Sequence, residues 1–190
     1  MTDAPNISAI NFDQPDVELL GSLTDQSAAK FLHDLRDVPD GTGPILICVT
    51  TPGGEAEMAR RIVLEIERLR ARSGRRLVFV GKTECYSAGM TIMSAFPVED
   101  RFLTSDCWLL IHSRQFEKSI SISGPLRDSL AQIEALASQI RVGMQFEEED
   151  FKRLIDGSDI SFEELTKEAP SNWYLPAAKA RERRLIADII

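Results

Sequence analysis

The run Ile45-Leu-Ile-Cys-Val-Thr50 constrains the fold more than any other stretch of this chain. Its first five residues offer no polar side chain to water, so the run predicts a strand covered on both faces, as in a parallel sheet. It stops at Thr51-Pro52-Gly53-Gly54, after which Met58, Ile62, Ile66 and Leu69 recur at helical spacing over about Glu55–Arg72. A second strand is predicted at Arg76–Val80. Strand, crossover helix and strand make the unit of a mostly parallel α/β sheet.

The remaining elements are read around that unit. Val17–Leu20 is a short strand, and Thr24 caps a helix over Asp25–Asp37 whose apolar stripe is Ala28, Phe31, Leu32 and Leu35. A turn over Gly81–Tyr86 leads to a short helix at Ser87–Ala95, and Arg101–Thr104 and Trp108–Ile111 are two more strands. Apolar residues from Leu126 to Ile155 predict a helix over about 125–155, interrupted at Gly143. So long a helix cannot be buried by one small domain, so part of it is expected to project and pack against another subunit. Ser161–Glu168 and Pro176–Arg184 are further helices, and Leu185–Ile190 is a terminal strand or tail. Residues 1–16 are polar and carry Pro5 and Pro15, a loose arm before one domain over 17–190.

Charge and cysteine usage narrow the function. Twenty-two Lys and Arg against 30 Asp and Glu give a net charge of -8, which repels phosphate backbones and anionic lipid, so no nucleic-acid partner is expected. Cys48, Cys85 and Cys107 are odd in number and lack metal-type spacing, so they predict reduced buried thiols and no metal centre. The N-terminus has no secretory pattern and no stretch reaches the roughly 20 apolar residues that span a bilayer. A cytoplasmic protein is the expectation.

Three local features can carry chemistry, and each has a plainer reading. Pro52-Gly53-Gly54 lets backbone amides approach a ligand, or is simply a tight turn. Ser87, at a turn-to-helix junction, is an exposed hydroxyl or an ordinary N-cap. His112, closing the run Trp108–Ile111, is a base or a satisfied buried histidine; His33, within the first helix, is read as structural. Together the three match one need: an imidazole to take a serine proton, and two N–H groups to hold an oxyanion. All lie at or just after the C-terminal ends of strands, where open α/β sheets collect their sites.

Pro52-Gly53-Gly54, Ser87-Ala88-Gly89-Met90 and Ile111-His112, in this order and with a 25-residue step from Ser87 to His112, resemble the Clp protease proteolytic subunit (ClpP) family over about Val17–Asp188. The resemblance implies a ClpP/crotonase-like α/β fold of stacked ββα units, with a long projecting handle helix. It implies a serine endopeptidase acting on peptides or unfolded proteins inside stacked heptameric rings, a homo-oligomer needing no cofactor. Ser87 then stands as nucleophile, His112 as base, and the amides of Gly54 and Ala88 as the oxyanion hole.

Aligning Tyr174-Leu175-Pro176-Ala177 with the segment after the family's triad acid puts Asn172 in the acid's place, or Ser171 if the alignment moves by one residue. An amide oxygen can fix the imidazole tautomer but brings no charge. Glu168 is the alternative acid nearest in sequence, with Asp150 and Asp156 further from the motif and read as solvated helix faces. The arm of 16 residues is shorter than the family's axial loops, which argues against coupling to an AAA+ unfoldase. Two other functions remain open: a catalytically weak ClpP-like scaffold or regulatory subunit, and a crotonase-type acyl-CoA enzyme.

Overall fold

The computed structural model describes residues 10–190. Its sheet has β1 (Val17–Leu20), β2 (Ile45–Thr51), β3 (Leu77–Tyr86), β4 (Arg101–Leu103) and β7 (Asp188–Ile189) as successive parallel neighbours. A branch carries β5 (Trp108–Ile111), parallel to the end of β3, and β6 (Trp173–Pro176), antiparallel to β5. Six helices flank this mostly parallel sheet: α1 (Asp25–Asp37), α2 (Ala56–Ser73), α3 (Ala88–Met93), α4 (Leu126–Ile155), α5 (Phe162–Glu168) and α6 (Ala177–Glu182).

The continuous apolar run does what its pattern demands. Ile45, Ile47 and Val49 of β2 enter the main core with Phe31 and Leu35 of α1 and Ile62 and Ile66 of α2. Leu46 and Cys48 point to the opposite face, where they meet Val78, Val80 and Phe102. That second face is covered by Ile10 and Phe12, the Phe12 ring lying 5.3 Å from that of Phe102. The Asp16 carboxylate accepts the Leu46 N–H at 2.7 Å. Residues 1–9 of the expected loose arm lie outside the described residues, while Ile10 and Phe12 are seated because the second sheet face would otherwise be wet.

Helix ends follow local chemistry. Thr24 and Ser27 cap α1 reciprocally, Thr24 Oγ1 accepting the Ser27 N–H at 3.2 Å and Ser27 Oγ the Thr24 N–H at 2.9 Å. Gly74, at φ 63°, closes α2 by donating its N–H to the Arg70 carbonyl.

Four expectations are corrected. Gly81–Tyr86 is strand, because β3 exchanges partners there: Phe79–Gly81 pairs with β4 and Glu84–Tyr86 with β5. The change is absorbed by a register shift opposite Val49–Thr51 and by Thr83 at φ 58°. α4 runs through Gly143 unbroken, since a single glycine costs a helix only about 1 kcal/mol. The helix expected over Pro176–Arg184 is shorter, because Trp173–Pro176 forms β6, a strand not expected from the sequence. α3 is likewise confined to Ala88–Met93, with Ser87 in front of it.

Arg101 ties three separate segments together while only 1% exposed. Its guanidinium donates to the carbonyls of Phe96 and Leu154, each at 2.7 Å, and of Leu185 at 3.3 Å. The Leu154 carbonyl belongs to the last turn of α4, where the helix dipole favours a cation. Of α4 itself only Phe151 and Leu154 are buried, so the turns from Leu126 onward lie outside the core.

Candidate active site

Thr51, Pro52, Gly53 and Gly54 leave β2 as a turn locked by a buried hydroxyl. Thr51 Oγ1 accepts the Gly53 N–H at 3.1 Å, and the Leu23 backbone brackets Gly54 by accepting from Glu55 N–H and donating to Gly53 C=O. Gly54 sits at φ 143°, and a Cβ there would come within 2.1 Å of the Leu23 carbonyl oxygen. Gly53 lies at φ 105°, and a Cβ would meet Ser87 Cβ at 2.8 Å. Both glycines are required by close approach, and the second approach is to the serine itself.

Ser87 stands between β3 and α3 at φ 54°, ψ −109°, a conformation that L residues adopt only where surrounding structure enforces it. Its N–H donates to the Leu110 carbonyl at 2.9 Å and its carbonyl accepts from Met90 N–H at 2.8 Å, so strand and helix hold the residue from both sides. Its side chain makes no capping hydrogen bond, which removes the ordinary N-cap reading. Gly89 is confined to glycine by close packing: a Cβ would meet Cys85 Sγ and Thr51 Cγ2, each at 2.8 Å. α3 therefore packs against the strand ends and presents Ser87 at their edge. A strained strand-to-helix turn of this kind exposes a serine hydroxyl and leaves the next N–H groups free.

His112 follows β5 directly. Its Nδ1 lies 2.7 Å from the carbonyl oxygen of Ser113. A carbonyl can only accept, so Nδ1 carries the proton and Nε2 of the neutral ring is left as an acceptor. That is the tautomer a general base needs. Ser87, Ala88, His112 and Gly54 line one cavity of about 430 Å³. The N–H groups of Gly54 and Ala88 have no hydrogen-bond partner among the described residues, and no hydrogen bond joins Ser87 Oγ to His112.

Asn172 lies outside this cavity. It is exposed, ends a 3-10 turn at φ 60°, and precedes β6. The β5–β6 ladder pairs Ile111 with Trp173, so its continuation sets His112 opposite Asn172. No hydrogen bond joins their side chains among the described residues, and the position proton-linked to Nδ1 belongs to Ser113. Glu168 ends α5, away from the cavity, and Asp156 is exposed at the end of α4. Asp150 does line the cavity. Its side chain is 12% exposed, Arg60 donates to it at 3.3 Å and Thr91 at 3.5 Å, and burial pushes its carboxyl up. It does not occupy the solvated face expected of it. The sequence signal was its spacing, since Glu147, Asp150, Phe151 and Leu154 share one stripe of α4. Arg114 and Glu57, absent from the sequence reading, close one rim of the cavity as an ion pair.

No family model matches the chain, and no curated protein matches it. Among solved structures, an Asn-to-Asp mutant of ClpP1 from Listeria monocytogenes is similar with a TM-score of 0.72 and 20% identity, over 94% of this chain and 92% of that one. The chain has a ClpP-like fold. At that identity the likeness carries the architecture, and the chemistry rests on the residues above. Among the described residues no helix is long and apolar enough to cross a membrane, and no cluster of three metal-type side chains occurs.

Proposed function

We propose that this chain is a ClpP-like serine endopeptidase that hydrolyses peptide bonds of peptides or unfolded proteins. One observation carries the reading: a serine on a strained turn, with no capping bond, shares a cavity with a histidine in the base tautomer and with two free backbone N–H groups. Ser87 Oγ attacks the scissile carbonyl as His112 Nε2 takes its proton, and the oxyanion is held by the N–H groups of Gly54 and Ala88. His112 then gives that proton to the leaving amine, and a water, deprotonated by the same nitrogen, releases the acyl group from Ser87. Apo serine–histidine contacts are often looser than those with substrate in place. Asn172, across the β5–β6 ladder, is the residue proposed to support the imidazole from outside, with Glu168 as the alternative acid. The projecting α4 supports a ring assembly of identical chains, and three free buried cysteines suit a reducing compartment such as the cytoplasm.

A second reading, a catalytically weak scaffold subunit, is supported by one feature: the Nδ1 partner is a neutral carbonyl, which stabilises an imidazolium less than a carboxylate does. Covalent labelling by a fluorophosphonate, followed by intact mass for the wild type, Ser87→Ala and His112→Ala, separates the two. Stoichiometric labelling lost in both variants supports the peptidase; an unlabelled, intact assembly supports the scaffold.

A further inference from the structure

The cavity beside Ser87 has an apolar wall and a charged floor. Met90, Phe151 and Leu154, each nearly buried, form the wall. Thr91, four residues after Ser87 on α3, and Asp150 of α4 meet at the floor. One helical turn rises about 5.4 Å, so this floor lies roughly a long side chain's reach from the nucleophile. The charge around it is lopsided. Glu55, Glu57, Glu147 and Asp150 line the cavity against a single cation, Arg114. Arg114 is committed to Glu57, and Glu147 accepts only from the Arg114 backbone N–H.

Arg60 stands behind Asp150, outside the cavity wall, shared between Asp150 at 3.3 Å and Glu149 at 3.5 Å and stacked on Phe146 at 3.8 Å. Even counting Arg60 with the lining, two of the four carboxylates, Glu55 and Glu147, have no cation within ion-pair distance among the described residues, around a partly apolar cavity that opens to solvent. Low-dielectric walls focus such a field into the cavity.

Resting on the peptidase reading above, we infer that Asp150 makes the cavity selective for a substrate whose residue at the attacked carbonyl carries a basic side chain, lysine or arginine. A long basic side chain satisfies both parts of the cavity: its methylene stem lies along Met90, Phe151 and Leu154, and its cation meets Asp150 and Thr91. An acidic side chain of equal length meets the same carboxylates and is repelled. An apolar one fills the wall but leaves the floor without a partner.

The test compares inactivation rates of the full chain by peptidyl diphenyl phosphonates that differ only in the side chain next to phosphorus, lysine-like, leucine-like or glutamate-like, read as adducts on Ser87 by intact mass. The lysine-like probe is expected to react about tenfold faster than the leucine-like one and the glutamate-like probe slowest, a tenfold ratio being what one modest charge contact supplies. Asp150→Asn is expected to collapse the lysine-to-leucine ratio towards one. Glu147→Gln, which disturbs no partner cation, is expected to reduce it in part and keeps the test decisive if Asp150→Asn does not fold. A leucine-like probe as fast as the lysine-like one, or a ratio unchanged in the folded variants, overturns the selectivity. If a simple fluorophosphonate labels Ser87 while the lysine-like probe shows no advantage, only this inference fails; if it does not label Ser87 at all, the peptidase reading fails and the selectivity with it.

Discussion

Gly54 shows how far a single residue can govern both the fold and the proposed chemistry. A methyl group there collides with the Leu23 carbonyl at 2.1 Å, and φ 143° is closed to other residues, so the turn must move. The Gly54 N–H moves with it. Gly54→Ala is therefore expected to slow fluorophosphonate labelling of Ser87 about 100-fold, the scale of losing one oxyanion donor, while thermal melting falls by only a few degrees. Equal labelling by the variant would remove Gly54 from the oxyanion role. Asn172 offers the opposite change. Its left-handed backbone at φ 60° suits asparagine or aspartate, so Asn172→Asp adds charge without new strain. Peptide kcat/KM is expected to rise about tenfold or more as the carboxylate stabilises the His112 imidazolium; no change would mean that the Ser113 carbonyl already fixes the ring. That Gly54, Ser87 and His112 would meet at one candidate site was legible in sequence because they stand in short motifs at strand ends. The Ser113 carbonyl was not, because any residue supplies a carbonyl, and Arg114 and Glu57 were not, because their pairing joins segments 57 residues apart.

Elements were legible where a single period decided them. α1, with its Thr24–Ser27 cap and apolar stripe, spans the predicted residues, and β2 differs by one. β3 and β6 were misread because their extent depends on partners: Glu84–Tyr86 becomes strand only when β5 lies beside it, and Trp173–Pro176 only when β5 offers its other edge. Arg101 works at this scale too, joining the last turn of α4 to the segments that follow α3 and α6 through their carbonyls. Burial pushes its guanidinium down to about 10, which still leaves it charged at neutral pH. Arg101→Met leaves those buried carbonyls without donors and is expected to cost about 3 kcal/mol in urea unfolding. Arg101→Lys keeps the charge but not the fork, so it should recover only part of that loss. A variant with wild-type stability would show that the carbonyls find other partners.

At the scale of the whole molecule, two properties follow from what is buried and what is not. Burial pushes the Cys107 thiol from its ordinary 9.0 up to about 12 and Cys85 well above its ordinary value. The unfolded chain therefore releases thiol protons that the folded chain retains, so the thiols' contribution to stability is whole below about pH 9 and is lost as pH rises above it. In reducing buffer the melting temperature of Cys107→Ala is expected to decline less steeply above pH 9 than that of the wild type, and parallel slopes would refute this origin. The second property is assembly. Leu126, 88% exposed, lies with Leu130, Ile133 and Ile140 on the length of α4 that leaves the core, and Phe116, Ile120 and Ile122 of the segment before α4 are exposed as well. A 30-residue helix is about 45 Å long, and an apolar stripe on that scale is stable in water only when another surface covers it. Sedimentation velocity at micromolar concentration is expected to find the wild type far above the 21.2 kDa of one chain, and Leu126→Glu/Leu130→Glu/Ile133→Glu much smaller but folded by circular dichroism. Because the same rigid helix carries Glu147 and Asp150 into the cavity, the dissociated variant should also label more slowly at Ser87. A wild-type monomer that labels at full rate would separate the chemistry from the ring.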